Sequence, residues 1–139
     1  MKARTFWSFD NHMPNFPYQK DARNNYFPII DFFVYSQGNV QRTSALIDSG
    51  ATVSVFKEEV AEQLGITIES GKETYLGGVG GRIKGYIHQQ ELEIAGKRFV
   101  CPVVFSYEYL VSFNLLGREA FFNQFKITFE ENKNLLKLK

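Results

Sequence analysis

Cysteine is nearly missing from this chain. Cys101 is the only one in 139 residues, which excludes an internal disulfide framework and suits a reducing compartment. Histidine is almost as scarce. With His12 and His88 as the only imidazoles, neither a zinc ligand set nor a Cys–His nucleophile is expected, and no metal or cofactor is implied. No stretch approaches the roughly eighteen apolar residues of a membrane span, and the mixed segment from Met1 to Asp10 lacks a signal peptide's apolar core. The expectation is a cytoplasmic protein with no membrane partner. Charge of one sign is lacking as well: 16 basic residues face 15 acidic ones. No cluster of Lys or Arg forms a nucleic-acid footprint, so no nucleic-acid partner is expected. No G-x-S-x-G elbow occurs. The glycines between 77 and 81 neither lead into G-K-[ST] nor form G-x-G-x-x-G, which argues against phosphate binding.

What the chain does have is aromatic mass. Fourteen Phe and seven Tyr, with 44% hydrophobic positions overall, imply one packed core in which large rings supply much of the burial. A chain of this length makes one domain and not two lobes. Residues 1–25 differ from the rest, with Pro14, Pro17 and rings at Phe6, Trp7, Phe9, Phe16 and Tyr18 that follow neither period. They read as an N-terminal extension: an arm that packs on the domain or on a partner, a prosegment, or a free tail.

From Tyr26 onward the pattern is β-rich. Phe27 to Tyr35 and Val40 to Ile47 flank the turn signal Ser36-Gln37-Gly38-Asn39 and read as a hairpin. Thr52 to Phe56 extends again, and Lys57 to Leu64 has helical spacing closed by Gly65. A second hairpin spans Glu73 to His88. Leu92 and Ile94 alternate with Glu91 and Glu93, and Phe99 to Phe105 pairs back after Gly96. A short helix is expected near Arg118 to Phe125, where Phe121, Phe122 and Phe125 read as core. Strands follow at Lys126 to Glu130 and Leu135 to Lys139. The expectation is an all-β, antiparallel domain with two short helices.

Asp48 carries the most information. It ends the apolar strand Ala45-Leu46-Ile47, where burial would raise its pKa and an unpaired charge would be costly. A D-[ST]-G triplet arises by chance in very roughly one chain of this length in twenty, so alone it reads as a turn. Two further blocks change that. Tyr75-Leu76-Gly77-Gly78-Val79-Gly80-Gly81-Arg82-Ile83-Lys84-Gly85 is a glycine-rich hairpin, and Asn114-Leu115-Leu116-Gly117-Arg118 is a hydrophobic-hydrophobic-Gly element.

Together with Ala45 to Thr52, these blocks resemble, in order and spacing, the catalytic loop, flap and pre-helix element of the retropepsin-like aspartic peptidases. The stretch Gly85-Tyr86-Ile87-His88, Leu92 to Gly96 and Cys101-Pro102 is also similar to the cellular DNA-damage-inducible branch. The resemblance covers residues 26–139 and implies a closed acid-protease β-barrel, one lobe per chain. It implies Asp48 as catalytic residue, Ser49, Gly50 and Ala51 as the active-site loop, and Leu76, Gly77, Gly78, Val79, Gly80, Gly81, Arg82 and Ile83 as flap and substrate-binding residues. Leu115, Leu116 and Gly117 would form the supporting element. Ser49 would join the two loops of a dimer.

Such a peptidase activates water between two carboxylates that share one proton. The chain has four Asp, at 10, 21, 31 and 48, and a single D-[ST]-G. A second copy of the chain is therefore the expected partner, and a polypeptide the expected substrate, hydrolysed by an Asp48/Asp48' dyad. The alternative is a silent binding or assembly module on the same scaffold. One departure from the viral pattern stands out: the acid expected four residues after the catalytic Asp is Thr52, which leaves the partner of Arg118 open between Asp31, Glu119 and none.

Overall fold

A computed structural model describes residues 14–78 and 80–139. Among them are strands β1 (Asn15–Pro17), β2 (Gln19–Lys20), β3 (Tyr26–Phe27), β4 (Ile29–Ser36), β5 (Asn39–Ile47) and β6 (Ser54–Phe56), followed by helix α1 (Glu58–Leu64). Then come β7 (Lys72–Gly78), β8 (Gly81–Ile94), β9 (Lys97–Phe105), β10 (Asn114–Leu116), β11 (Ile127–Glu130) and β12 (Leu135–Leu138). No helix among the described residues is long and apolar enough to cross a membrane.

The period-two pattern of β4 buries Ile30, Phe32 and Val34 on one side. Its hairpin with β5 turns through Gln37 and Gly38, both at positive φ, a twist that matches the flanking strands. The pairings then run β4-β5-β10-β6-β9-β8, and β8 returns to β4 through Phe33↔Glu93, Val34↔Leu92 and Tyr35↔Glu91. The sheet thus closes on itself, as the expected barrel requires, and β7 continues beyond it as the outer arm of a hairpin with β8. Phe32, Phe56 and Phe105 meet inside with ring centroids 5.8 and 6.1 Å apart. A second cluster stacks Phe99 on Phe121 at 6.5 Å, with Phe125 against both.

Three features differ from the expectation. Two pairings are parallel, β5 with β10 and β6 with β9; the first arises because β10 threads between the two strands that the Asp48 loop connects. The second helix does not form. Ala120 takes φ 67 and interrupts it, leaving a single 3-10 turn at Phe122–Gln124, yet Phe121 is fully buried as a core residue. The segments read as Glu73 to His88 and Leu92 to Ile94 also prove partly one strand, β8.

The terminal segments form their own sheet, in the order β1-β12-β11. Phe16 pairs with Leu136, and Tyr18 is buried, donating its hydroxyl to Glu131 Oε1 at 2.8 Å. Burial first, then the Glu131 bond and charge, push the phenol up to about 12. Residues 14–20 are thus built into the body of the fold, while the rings at Phe6, Trp7 and Phe9 lie outside the described residues. Tyr18→Ala is expected to cost about 3 kcal/mol in a denaturant titration, as loss of a packed ring does.

Candidate active site

Asp48 is positioned by strand pairing on both sides of its loop. Leu116 lies opposite Ile47 in the parallel β5–β10 pair, and Asp48 N–H donates to Leu116 O at 3.0 Å. Leu115 pairs with Val55 on the other side. The loop from Asp48 to Val53 must therefore cross the end of β10, and Gly117 sits where it crosses. Gly117 N–H donates to the buried Ser54 Oγ at 3.0 Å, while Arg118 and Glu119 N–H groups donate to Ala51 O and Thr52 O at 2.9 and 2.8 Å. Asp48 is half-buried, and its Oδ1 accepts Gly50 N–H at 2.9 Å, whereas Ser49 and Gly50 are exposed. One carboxylate oxygen is thereby oriented by the loop's own backbone.

Asn114 braces the same strands. Its buried amide donates to Thr43 Oγ1 at 3.1 Å and Ser44 O at 2.9 Å, and its Oδ1 accepts Lys57 N–H at 2.6 Å at the start of α1. Those bonds join β5, β10 and α1 in one node. No side chain of α1 itself caps that end.

A cleft of about 680 Å³ lies against the loop. Gly50, Ala51, Thr52, Val53, Val55 and Leu115 form one wall; Tyr75, Leu76, Gly77, Gly78, Gly81 and Ile83 of the β7–β8 hairpin form a second. Of the site residues expected from sequence, Gly50, Ala51, Leu76, Gly77, Gly78, Gly81, Ile83 and Leu115 line this cleft, while Asp48, Ser49, Gly80 and Gly117 are not among its lining residues. The hairpin narrows to Gly78↔Gly81, and its tip needs Gly80 and Gly81 at φ 96 and 122, a region closed to most side chains. Val79 lies outside the described residues. Arg82 does not line the cleft; its guanidinium stacks 4.6 Å from the Tyr75 ring centre. Leu116 turns into the core instead.

Tyr109 and Val111 complete the cleft. Tyr109 was not legible beforehand, since an isolated tyrosine in a loop has no distinguishing spacing. Its hydroxyl donates to Phe113 O at 2.7 Å, bracing the intervening loop, and burial together with the nearby charge of Asp48 pushes its phenol up to about 12. Tyr109→Phe should release that loop, which faster amide hydrogen exchange over residues 110–112 would show.

Arg118 finds neither Asp31 nor Glu119. Its guanidinium donates to Thr52 Oγ1 at 3.2 Å, while Asp31 is taken by Arg42 at 2.9 Å. The described residues hold no group of three or more His, Cys, Asp or Glu suited to a metal ion. Cys101 is fully buried beside Ser54, 3.9 Å from its Oγ, and burial pushes the thiol up to about 11. Native protein should therefore resist iodoacetamide at pH 8 and react once unfolded, which mass spectrometry would resolve.

A closed sheet whose Asp-Ser-Gly loop is threaded by a Leu-Leu-Gly strand, beneath a glycine-tipped hairpin, defines one lobe of an acid protease. A family profile described as aspartyl protease matches residues 34–120. Over 91% of both chains the fold superimposes on a retropepsin-like aspartic protease from Rickettsia conorii, with TM-score 0.66 and 22% identity. It also matches the EIAV protease complexed with an inhibitor, over 66% of this chain and 82% of that one, with TM-score 0.53 and 21% identity. No curated protein sequence matches. The chain belongs to the aspartyl protease family, and its fold is retropepsin-like.

Proposed function

We infer that the protein is an endopeptidase that works as a homodimer, with Asp48 of each copy forming the catalytic pair. The observation that carries this reading is the solitary Asp48 loop. Its carboxylate stands half-buried beside an apolar cleft, yet the chain contains no second loop of its kind. The other described aspartates are engaged elsewhere, Asp31 with Arg42 and Asp21 with the backbone of its own turn.

Two such carboxylates across a two-fold axis share one proton. The ionised one takes a proton from water as it attacks, and the protonated one donates a hydrogen bond to the scissile carbonyl. Ser49 joins the two loops, and the hairpin from Leu76 to Ile83 closes over an extended peptide, excluding bulk water. The cleft walls among the described residues carry no formal charge, so the peptide side chains seated directly against them are apolar.

The test pairs activity with assembly. Native protein incubated with a diverse peptide mixture at mildly acidic to neutral pH should cleave it, and Asp48→Asn should not. A strict monomer by sedimentation that still cleaves would overturn the shared site. Absence of cleavage by native dimer would favour a binding module on this scaffold.

A further inference from the structure

We propose that Arg118 is a specificity-determining residue that selects polypeptides with an acidic side chain flanking the scissile bond. The proposal rests on the cleft being a polypeptide site and names the class of sequence it takes.

Position is the first argument. Arg118 follows Gly117 directly under the Asp48 loop, and its backbone is fixed on both sides: N–H donates to Ala51 O at 2.9 Å, and its carbonyl accepts Phe122 N–H at 3.2 Å. Its guanidinium donates to Thr52 Oγ1 at 3.2 Å, and Thr52 lines the cleft. The cation is thus held one hydrogen bond from the peptide path, although the residue as a whole is exposed.

Charge is the second. Arg42 and Arg98 pair with Asp31 and Glu91 at 2.9 and 3.0 Å. Among the described residues no ion pair ties Arg118 to a carboxylate, and its side-chain acceptor is a neutral hydroxyl. One hydroxyl satisfies one of five donors, which leaves a fork suited to a bidentate carboxylate. The residues that line the cleft carry no formal charge, and low-dielectric walls focus the field of a cation at their edge. A Glu or Asp of the bound peptide is the group that completes this site.

The experiment uses decapeptides with an apolar centre in which one flanking position at a time is Glu or Gln. Binding to full-length Asp48→Asn protein is read by fluorescence anisotropy, and hydrolysis by native protein is read in parallel. At one flanking position Glu should bind about fivefold tighter than Gln, and the ratio should shrink towards one in high salt. Arg118→Lys should keep part of the preference, Arg118→Gln should abolish it, and Arg118→Glu should transfer it to Lys-containing peptides. Equal binding of Glu and Gln peptides at every position, or a preference that survives in Arg118→Gln, overturns the proposal. So does dissociation of the Arg118→Gln dimer in sedimentation with the peptide ratio unchanged, which assigns the guanidinium to the subunit contact. Glu-selective binding without hydrolysis by native protein defeats the peptidase reading and leaves the assignment of Arg118 standing.

Discussion

Asp48→Asn is expected to lower peptide hydrolysis by about 10⁴-fold while leaving the fold intact. Asparagine keeps the acceptor that Gly50 N–H uses at 2.9 Å, so the loop has no reason to move. On the proposed mechanism, what disappears is the group that takes and returns a proton, and in a two-fold dimer one substitution removes it from both sides of the site. A mixing experiment sharpens this. When native and Asp48→Asn chains exchange freely in equal amounts, only about one quarter of the dimers carry two aspartates. Activity per chain should fall to about that fraction if both are required. A fall only to one half would mean that each aspartate works alone and would sink the dyad.

The local elements of the candidate site were legible where they are written in consecutive residues. Ala45 to Gly50 announces an apolar strand ending in a carboxylate, and the glycines between 77 and 85 announce a hairpin tip; both lie where expected. Non-local relations were not legible. Nothing in Leu115-Leu116-Gly117 reveals that this strand runs parallel to β5 and antiparallel to β6 at once, since that follows from where the loop crosses. The pairing of Phe16 with Leu136 joins the two ends of the chain and leaves no local signal either. The helix expected at Arg118 to Phe125 fails for a related reason. Backbone bonds to Ala51 and Thr52 fix its first residues, and Ala120 at φ 67 then redirects the chain so that Phe121 enters the core. Ring spacing alone resembles a helix, and tertiary bonds override it.

That dependence on a single crossing point makes Gly117→Ala the most damaging small substitution in the site. A Cβ at Gly117 would collide with the carbonyl oxygen of Val53 and stand 2.9 Å from that of Ala51. Both are backbone atoms of the loop, so relief requires moving the loop itself or β10. Ala51 O is also the acceptor for Arg118 N–H, and Gly117 N–H is bonded to Ser54 Oγ, so displacement strains bonds on both sides. Overpacking of this kind costs about 2–3 kcal/mol. A denaturant titration should show the midpoint fall at unchanged slope. Displacing Asp48 by about an ångström should lower kcat/KM about 10²-fold in the protein that remains folded. Gly77→Ala serves as the stability control, because a Cβ there meets nothing within 4 Å and the residue lies in an extended strand. If Gly117→Ala and Gly77→Ala unfold alike, steric exclusion under the loop is not what holds Asp48 in place. If only Gly117→Ala is destabilised, and its folded fraction is also slow, then the threaded strand both supports the loop and sets the position of the carboxylate.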